Sequence, residues 1–202
     1  VVSAFSLDGQ VALVTGANTG IGQVIAVAMA AAGANVIAAG RRDCDETLAL
    51  IGARGRGLRL DFADPMAARD VFAAERIDIL VNNAGIIRRD DAVDFTESDW
   101  DDVIDVNLKS LFFTCQAFAR AALPRGRGKI VNIASLLSFQ GGIRVPSYTA
   151  SKHGVAGLTK LMANEWAAKG LNVNAIAPGY IETNNTEALR ADPARSQAIL
   201  DR

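Results

Sequence analysis

Short runs of apolar, often β-branched residues recur along the chain, and almost every position in them is hydrophobic rather than every second one. A strand that is buried on both faces has this pattern, and strands of that kind belong to parallel sheets covered by helices. The predicted strands are residues 11–15, 35–39, 77–81, 129–133 and 172–177, with a less regular one at 57–60.

Between these runs lie segments in which apolar residues recur at helical spacing, so strands and helices alternate as in βαβ units. The predicted helices are residues 20–32, 65–75, 98–122 and 147–169, with a brief turn at 46–51. Gly33 stands where a helix C-cap is expected, Pro65 where a first helical turn is expected, and Thr96 with Asp99 resembles a capping box. The pattern predicts a single domain over residues 1–202, with an α/β fold built on a doubly wound, Rossmann-type parallel sheet with helices on both faces.

The composition excludes some classes of protein. The 202 residues are 50% hydrophobic and 21% charged, which is enough apolar material for one folded core. Lys and Arg together number 21 against 22 Asp and Glu, so the formal net charge is −1. A chain without a global positive field does not gather the phosphates of a nucleic acid. We therefore expect no nucleic-acid partner, and any anion must be captured locally.

The chain has two cysteines, Cys44 and Cys115, and one histidine, His153. Two cysteines outside any zinc-binding spacing predict reduced thiols, a cytoplasmic location and no metal. A single histidine makes a Ser-His-Asp triad depend on one residue. Residues 9–40 carry no charge, but Asn, Gln and Gly interrupt the apolar run below the length that a bilayer needs. We expect a buried strand, turn and helix there, and no membrane partner.

A glycine-rich turn follows the first predicted strand and opens directly into the first predicted helix, with Gly16, Gly20 and Gly22 spaced as Gly-x-x-x-Gly-x-Gly. Free backbone N–H groups and the helix dipole at such a helix start favour a pyrophosphate. The position inside a βαβ unit is the context that a dinucleotide site requires. A purely structural turn is the alternative.

Tyr148 and Lys152 lie four positions apart, on one face of a predicted helix. The ammonium can then lie near the phenol and lower its pKa from about 10 by favouring the phenolate. A tyrosine of that kind is a usable general base near neutral pH. A solvated helix face is the alternative for this pair when it is considered alone.

Several motifs together resemble the short-chain dehydrogenase/reductase family. They are the glycine spacing, Asn82-Asn83-Ala84-Gly85 after a predicted strand, Ser135 at the end of the strand at 129–133, and Tyr148-x-x-x-Lys152. The resemblance covers essentially the whole chain and implies a catalytic set of Asn107, Ser135, Tyr148 and Lys152. In that set Ser135 holds the substrate oxygen, and Asn107 opens a backbone carbonyl to a water that relays protons through Lys152. Considered singly, Ser135 fits a strand-end serine, Asn107 a helix kink, and Asn83 a turn.

The resemblance also implies which residues bind an NAD(P) cofactor. They are Gly16, Asn18, Thr19, Gly20, Ile21, Gly22, Arg41, Arg42, Asp61, Phe62, Asn83, Ala84, Gly85, Tyr148, Lys152, Pro178, Gly179, Ile181 and Thr183. Relatives that prefer NAD usually have an acidic residue at the end of the second strand, where this chain has Gly40 followed by Arg41 and Arg42. Guanidinium groups hold a 2′-phosphate well, so we expect NADP, with NAD as the alternative cofactor and solvated surface arginines as the alternative interpretation.

Within the family, residues 137–152, 161–166 and 174–185 resemble a group that acts on deoxy-keto sugar acids. This implies an oxidoreductase that interconverts a secondary alcohol and a ketone on a substrate such as 2-dehydro-3-deoxy-D-gluconate or 2-deoxy-D-gluconate, with Tyr148 as general acid and base. A 3-oxoacyl thioester reductase and a non-catalytic NAD(P)-sensing module are the alternatives, and the sensing module normally lacks Ser135, Tyr148 or Lys152. The resemblance further implies a homo-oligomer, a tetramer paired through the two longest helices. Relatives continue past Arg202, so we expect the C-terminal helix and strand of the fold to be missing from this chain.

The carboxylate of such a substrate needs a fixed cation once water is excluded. Arg144 lies in the loop between Ser135 and Tyr148, and we expect it to bind that carboxylate. The alternative is that Arg144 pairs with a neighbouring subunit or with an acidic side chain such as Glu182. The other candidate substrate residues are Ser135, Gln140, Tyr148, Asn184 and Asn185.

Overall fold

In the computed structural model, the described residues are 5–181, Ala191 and Gln197. Their strands are β1 (Val11–Thr15), β2 (Asn35–Gly40), β3 (Gly55–Arg59), β4 (Ile79–Asn82), β5 (Gly128–Ile133) and β6 (Leu171–Ile176). They form one sheet in the order β3-β2-β1-β4-β5-β6, and every neighbouring pair is parallel. The predicted doubly wound parallel sheet is therefore confirmed.

Helices connect the strands and cover both faces of the sheet. They are α1 (Gly20–Ala31), α2 (Asp45–Ile51), α3 (Arg69–Ala74), α4 (Glu97–Ile104), α5 (Ser110–Ala122) and α6 (Pro146–Trp166). Short 3₁₀ turns follow α2, α5, β5 and α6, at Gly52–Arg54, Leu123–Arg125, Leu136–Ser138 and Ala167–Lys169. Most boundaries lie within two residues of the predicted ones.

Two hydrophobic clusters form the core, one on each face of the sheet. Alternate residues of β1 belong to different clusters: Leu13 packs with Phe118 and Ile130, whereas Ala12 and Val14 pack on the other face. Alanines dominate that second face, which lets helix α1 approach the sheet closely. Because both clusters draw on the same strands, the strands need apolar residues at consecutive positions.

One predicted helix start is wrong. The sequence predicts a first helical turn at Pro65, but α3 begins at Arg69. Asp61 and Asp64 accept hydrogen bonds from the backbone N–H groups two residues further on, at 3.0 Å from Ala63 and 2.9 Å from Met66. Aspartates that bond to the backbone in this way stabilise turns in competition with a helix.

The long predicted helix at 98–122 is interrupted in its middle. Helix α4 passes into a π-helical segment, Asp105–Lys109, which continues into α5. Asn107 lies in this segment. Such π segments occur frequently at functional sites.

The predicted helix ends at Thr96 and Gly33 are confirmed. The Thr96 hydroxyl accepts the N–H of Asp99 at 3.1 Å and caps α4, and Gly33 follows α1 with a φ of +106°. A membrane-spanning helix must be both long and apolar, and the described residues include no helix with both properties.

The strand order changes direction between β1 and β4, since the chain leaves β1 towards β2 and later returns on its other side to β4. In open parallel sheets, ligands bind in the crevice that this reversal opens at the carboxyl ends of the strands. Thr15 and Asn82 end the two strands at that point.

Candidate active site

The glycine-rich loop after β1 is shaped to bring backbone close to a ligand. Gly16 and Gly20 have φ values of +63° and +58°, which favour glycine. A Cβ at Gly22 would lie 2.2 Å from the carbonyl oxygen of Gly16, so only glycine fits there. Thr19, the N-cap of α1, makes no side-chain capping hydrogen bond. The first N–H groups of α1 therefore lack a side-chain acceptor and suit an anion.

The loop is fixed to the residues after β4. The Thr15 hydroxyl accepts the N–H groups of Asn83 and Ala84, each at 2.9 Å. In return, the Asn83 amide donates to the carbonyl oxygens of Thr15 and Gly16, at 3.0 and 3.1 Å. The two chain segments that flank the switch point are thus held in one geometry.

Helix α2 supports the same loop through Thr47, a residue that no sequence motif marks. Its hydroxyl is fully buried and donates to the carbonyl oxygen of Ala17 at 2.7 Å, while Gln23 donates to the Thr47 oxygen at 3.1 Å. The sequence signal was weak, because a lone threonine in a short helix has no partner until α1 and α2 are packed together.

A cleft follows the loop along the ends of β1, β2 and β4, and most of the predicted cofactor residues line it. Its lining includes Gly16, Asn18, Thr19, Gly20, Ile21, Arg41, Arg42, Asp61, Phe62, Asn83, Ala84 and Gly85, together with Gly40, Ala63, Ile86 and Val106, which were not predicted. The uncapped start of α1 fits the pyrophosphate of a dinucleotide, and the absence of a Cβ at Gly22 lets this helix start pack against the Gly16 carbonyl. The residues present therefore fit an NAD(P) cofactor.

Three further predicted cofactor residues follow β6. Pro178 accepts the N–H of Leu136 through its carbonyl oxygen at 3.2 Å, and the N–H of Ile181 donates to the carbonyl oxygen of Gly179 at 3.0 Å. This places the segment after β6 beside the 3₁₀ turn that follows β5. Thr183 lies outside the described residues.

Tyr148 stands in the first turn of α6, which begins with Pro146. Its phenol lies within hydrogen-bonding reach of the side chain of Ser135. Burial raises the pKa of Tyr148, while the Ser135 hydrogen bond and the positive charge of Arg89 oppose that rise. Ser135 also caps the 3₁₀ turn after β5, since its oxygen accepts the N–H of Leu137 at 3.1 Å. The structure thus brings Ser135 and Tyr148 together as predicted.

Lys152 is 5% exposed, and its ammonium donates to the carbonyl oxygen of Ile133 at 2.6 Å. The Nζ atom lies 5.5 Å from the centroid of the Tyr148 ring, over its face rather than at its hydroxyl. Burial lowers the pKa of Lys152 to about 8. The expectation that the pKa of Tyr148 is lowered from about 10 is wrong for this arrangement, because burial of the phenol outweighs the opposing influences of Ser135 and Arg89.

Asn107 joins three parts of the site from within the π-helical segment. Its Oδ1 accepts the N–H of Ile86 at 2.8 Å, and its Nδ2 donates to the Ile86 carbonyl at 2.9 Å and to the Ser151 hydroxyl at 3.3 Å. Ser151 donates in turn to the carbonyl oxygen of Tyr148 at 2.8 Å. Asn107 therefore fixes the chain after β4 against the start of α6.

A buried polar network lies beneath the site and was also missed. Asn82 donates to Asn132 at 2.9 Å and to the Cys115 sulfur at 3.1 Å, and Asn132 donates to Thr159 at 3.0 Å. Burial raises the pKa of Cys115 to about 12, so the thiol stays protonated. The network ties β4 and β5 to α5 and to α6, and α6 carries both Tyr148 and Lys152. Each member alone is an ordinary polar residue, so no sequence signal marked the set.

Unlike the predicted cofactor residues, the predicted substrate residues that the structure describes do not all lie together in one site. Gln140 is exposed in the loop after β5, and Asn184 and Asn185 lie outside the described residues. Arg144 forms ion pairs with Asp91 at 3.1 Å and with Asp90 at 3.6 Å, so pairing with acidic side chains is what the structure shows. Glu182, named as an example of such a partner, is not among the described residues. Within the described ranges, no group of three His, Cys, Asp or Glu side chains could hold a metal ion.

The family model described as short chain dehydrogenase matches residues 10–194. The chain belongs to this family, and it is an NAD(P)-dependent dehydrogenase.

Its relatives define a narrower group. The chain is 54% identical to 2-dehydro-3-deoxy-D-gluconate 5-dehydrogenase of Escherichia coli (strain K12), over 100% of this chain and 83% of that protein. It is 56% identical to the protein of the same name in Bacillus subtilis (strain 168), over 98% of this chain and 82% of that one. A crystal structure from Agrobacterium tumefaciens, assigned to 2-deoxy-D-gluconate 3-dehydrogenase and holding NADP, is 72% identical with a TM-score of 0.95, over 98% of this chain and 82% of that one.

Proposed function

We propose that the protein interconverts a secondary alcohol and a ketone on a deoxy-keto sugar acid, with 2-dehydro-3-deoxy-D-gluconate and 2-deoxy-D-gluconate as first candidates and NADP as cofactor. The observation that carries the proposal is the Tyr148 phenol beside Ser135, with the buried ammonium of Lys152 5.5 Å from the centroid of its ring. The names of the relatives from Escherichia coli and Bacillus subtilis support the sugar acid.

In the proposed mechanism, Tyr148 moves the proton at the reacting oxygen. In the oxidation direction the phenolate takes the proton of the substrate hydroxyl, and in the reduction direction the phenol returns it to the oxygen. Ser135 donates a hydrogen bond to the same oxygen and holds it within reach of Tyr148. When bound, NADP accepts a hydride from the substrate carbon, and NADPH supplies one.

Lys152 and Asn107 support Tyr148 in different ways. The buried ammonium of Lys152 lies over the face of the ring, where its charge stabilises the phenolate as it forms. Asn107 fixes Ile86 and Ser151, and through Ser151 the backbone of Tyr148. The first role is electrostatic and the second positions the helix that carries the base.

A sugar acid carries a carboxylate, which needs positive charge near the reacting group. The charge of Arg89 reaches the Tyr148 phenol, so it favours an acidic substrate over a neutral one at this site.

The preference for NADP is supported by the end of β2. Arg41 and Arg42 line the cleft, and guanidinium groups bind a phosphate through two parallel hydrogen bonds. A Cβ at Gly40 would lie 3.0 Å from the carbonyl oxygen of Arg42 and 3.2 Å from the side-chain oxygen of Asn18. An acidic side chain of the kind that favours NAD would therefore meet two oxygen atoms at this position.

We also propose a cytoplasmic homo-oligomer, a tetramer. Both cysteines are free and buried, which fits a reducing compartment. Trp100 on α4 and Leu161 on α6 are 41% and 46% exposed, which fits pairing through these helices. Light scattering coupled to size-exclusion chromatography will measure the oligomer, and a monomer at micromolar concentration would contradict it.

The experiment is a substrate panel followed through the nicotinamide absorbance. For oxidation, purified protein is mixed with NADP or NAD and with 2-dehydro-3-deoxy-D-gluconate, 2-deoxy-D-gluconate or gluconate. For reduction, it is mixed with NADPH and with the 5-keto partner of 2-dehydro-3-deoxy-D-gluconate or with an acetoacetyl thioester. We expect the highest kcat/KM on a deoxy-keto sugar acid with NADP(H). A higher kcat/KM on the thioester would overturn the assignment in favour of 3-oxoacyl reduction, and no turnover on any compound would favour a sensing module.

A further inference from the structure

Arg89 is held in place from both sides along the chain. Its neighbour Arg88 forms ion pairs with Asp99 at 3.1 Å and Asp102 at 3.0 Å, both on α4. On the other side, Asp90 and Asp91 pair with Arg144, which lies in the loop that leads into α6. Arg89, whose charge reaches the Tyr148 phenol, thus lies between two ionic anchors on different elements.

The second anchor also involves the backbone. The N–H of Asp90 donates to the carbonyl oxygen of Arg144 at 3.1 Å, while the Arg144 guanidinium contacts both carboxylates. We name this set of contacts among Asp90, Asp91 and Arg144 the Arg144 clasp. It joins the chain after β4 to the chain after β5, and Arg144 is only four residues before Tyr148.

Arg144 adopts an unfavourable backbone conformation to make these contacts. Its φ is +62°, and among the described residues it is the sole non-glycine residue with a positive φ. A positive φ in a residue with a long side chain costs free energy. It persists only where the surrounding contacts hold the backbone in that conformation. The side chains of the clasp are 47 to 63% exposed, so the ion pairs themselves contribute little to stability. The strained backbone and the exposed ion pairs together indicate that the clasp fixes the position of nearby residues rather than stabilising the fold.

We propose that Arg144 is a positioning residue, whose clasp with Asp90 and Asp91 keeps Arg89 where its charge acts on the Tyr148 phenol, and that Arg144 does not itself bind the substrate carboxylate. The kinetic part of this proposal rests on the proposed function, since it concerns a sugar acid. The spectroscopic part needs no substrate.

The kinetic test uses Arg144→Asn, Asp91→Asn and the double variant, with 2-dehydro-3-deoxy-D-gluconate as substrate. Asparagine tolerates a positive φ, so the first change removes the charge without adding backbone strain. We expect each single variant to raise KM about tenfold, and the double variant to show no further loss, because both break the same contact. Arg69→Asn removes an exposed arginine of the same kind, paired with Asp70 at 3.2 Å on α3, and should leave KM unchanged.

A direct contact between Arg144 and the substrate predicts the opposite sign for one variant. Asp91→Asn would then free the guanidinium and remove a repelling carboxylate, so KM would stay constant or fall. That result would overturn the proposal, as would additive losses in the double variant.

The spectroscopic test follows the ionisation of Tyr148 in ultraviolet difference absorbance. The chain has two tyrosines, so a Tyr180→Phe background leaves Tyr148 alone. Ser135 and Arg89 influence the pKa of its phenol and Lys152 lies over its ring, and of these three groups only Arg89 is held by the clasp. Arg144→Asn should raise the Tyr148 pKa, because Arg89 moves away, and Arg69→Asn should not. An unchanged pKa would refute the clasp even if no sugar acid were turned over.

Discussion

Replacing Lys152 by Met should change how the stability of the fold depends on pH. Burial lowers the pKa of this ammonium from 10.5 to about 8 in the folded protein. The unfolded chain returns it to its ordinary value, so between the two values the unfolded state binds more protons than the folded state. The free energy of unfolding of the wild type therefore rises with pH across this window, and Lys152→Met removes that contribution.

The two pKa values set the size of the effect. Inside the window each pH unit contributes up to about 1.4 kcal/mol, and the contribution tapers towards either end. From about pH 7.5 to about pH 9.5 the wild type should gain about 2 kcal/mol of stability relative to Lys152→Met. Taking the difference between the two proteins cancels shared titrations such as that of Cys44, whose pKa is raised by burial and by neighbouring aspartates in both.

The assay is urea unfolding followed by tryptophan fluorescence at several pH values without cofactor. His153→Ala is the matched control, because His153 is the next residue on α6 and is exposed. Its stability should follow the wild-type curve. If the curves of the wild type and Lys152→Met run parallel across this range, the ammonium is not buried as the structure shows, and the reasoning fails.

Three other substitutions test separate parts of the site. Tyr148→Phe keeps the ring but removes the proton-transfer group, so turnover should fall about a hundredfold or more while the NADP Kd, measured by fluorescence titration, stays within a few-fold; near-normal turnover would contradict the role of Tyr148. Arg41→Ala should raise the KM for NADP about tenfold, the loss of one charge-assisted hydrogen bond, and leave the KM for NAD unchanged; equal effects on both cofactors would place Arg41 outside the 2′-phosphate site. Gly22→Ala puts a Cβ 2.2 Å from the Gly16 carbonyl oxygen, so the NADP-induced rise in Tm should be lost, and a normal rise would mean that the loop can move aside.

The sheet and the glycine-rich loop were predictable because their signals are local. Consecutive apolar residues mark β1, β2 and β4. The glycines run from the end of β1 into the first turn of α1, where a Cβ at Gly16 or Gly22 would lie within 3 Å of neighbouring atoms. Ser135 and Tyr148 lie in different elements, and their pairing was predicted through the family resemblance.

Other features depend on contacts that no local pattern records. Arg144 meets Asp91 only when the chain after β4 lies beside the chain after β5, so its partner could not be read from the loop itself. The same holds for Thr47, whose hydroxyl bonds to a carbonyl in another loop. The predicted start of α3 was wrong because two short-range preferences compete there. Pro65 favours a first helical turn, whereas Asp61 and Asp64 accept hydrogen bonds from nearby backbone N–H groups and stabilise turns.

Because of the π-helical segment around Asn107, the packing of α4 and α5 depends on the number of residues between them as well as on which residues these are. Each residue of an α-helix advances the side chains by about 100° around the axis, and a π turn absorbs one extra residue without shifting the helices on either side. If Asp105–Lys109 became α-helical with no residue removed, α4 would rotate relative to α5 by about that angle. Val103, fully buried on α4, would then leave the core. The packing of α4 and α5 on either side therefore holds these five residues in the π turn, which places Asn107 against Ile86 and Ser151.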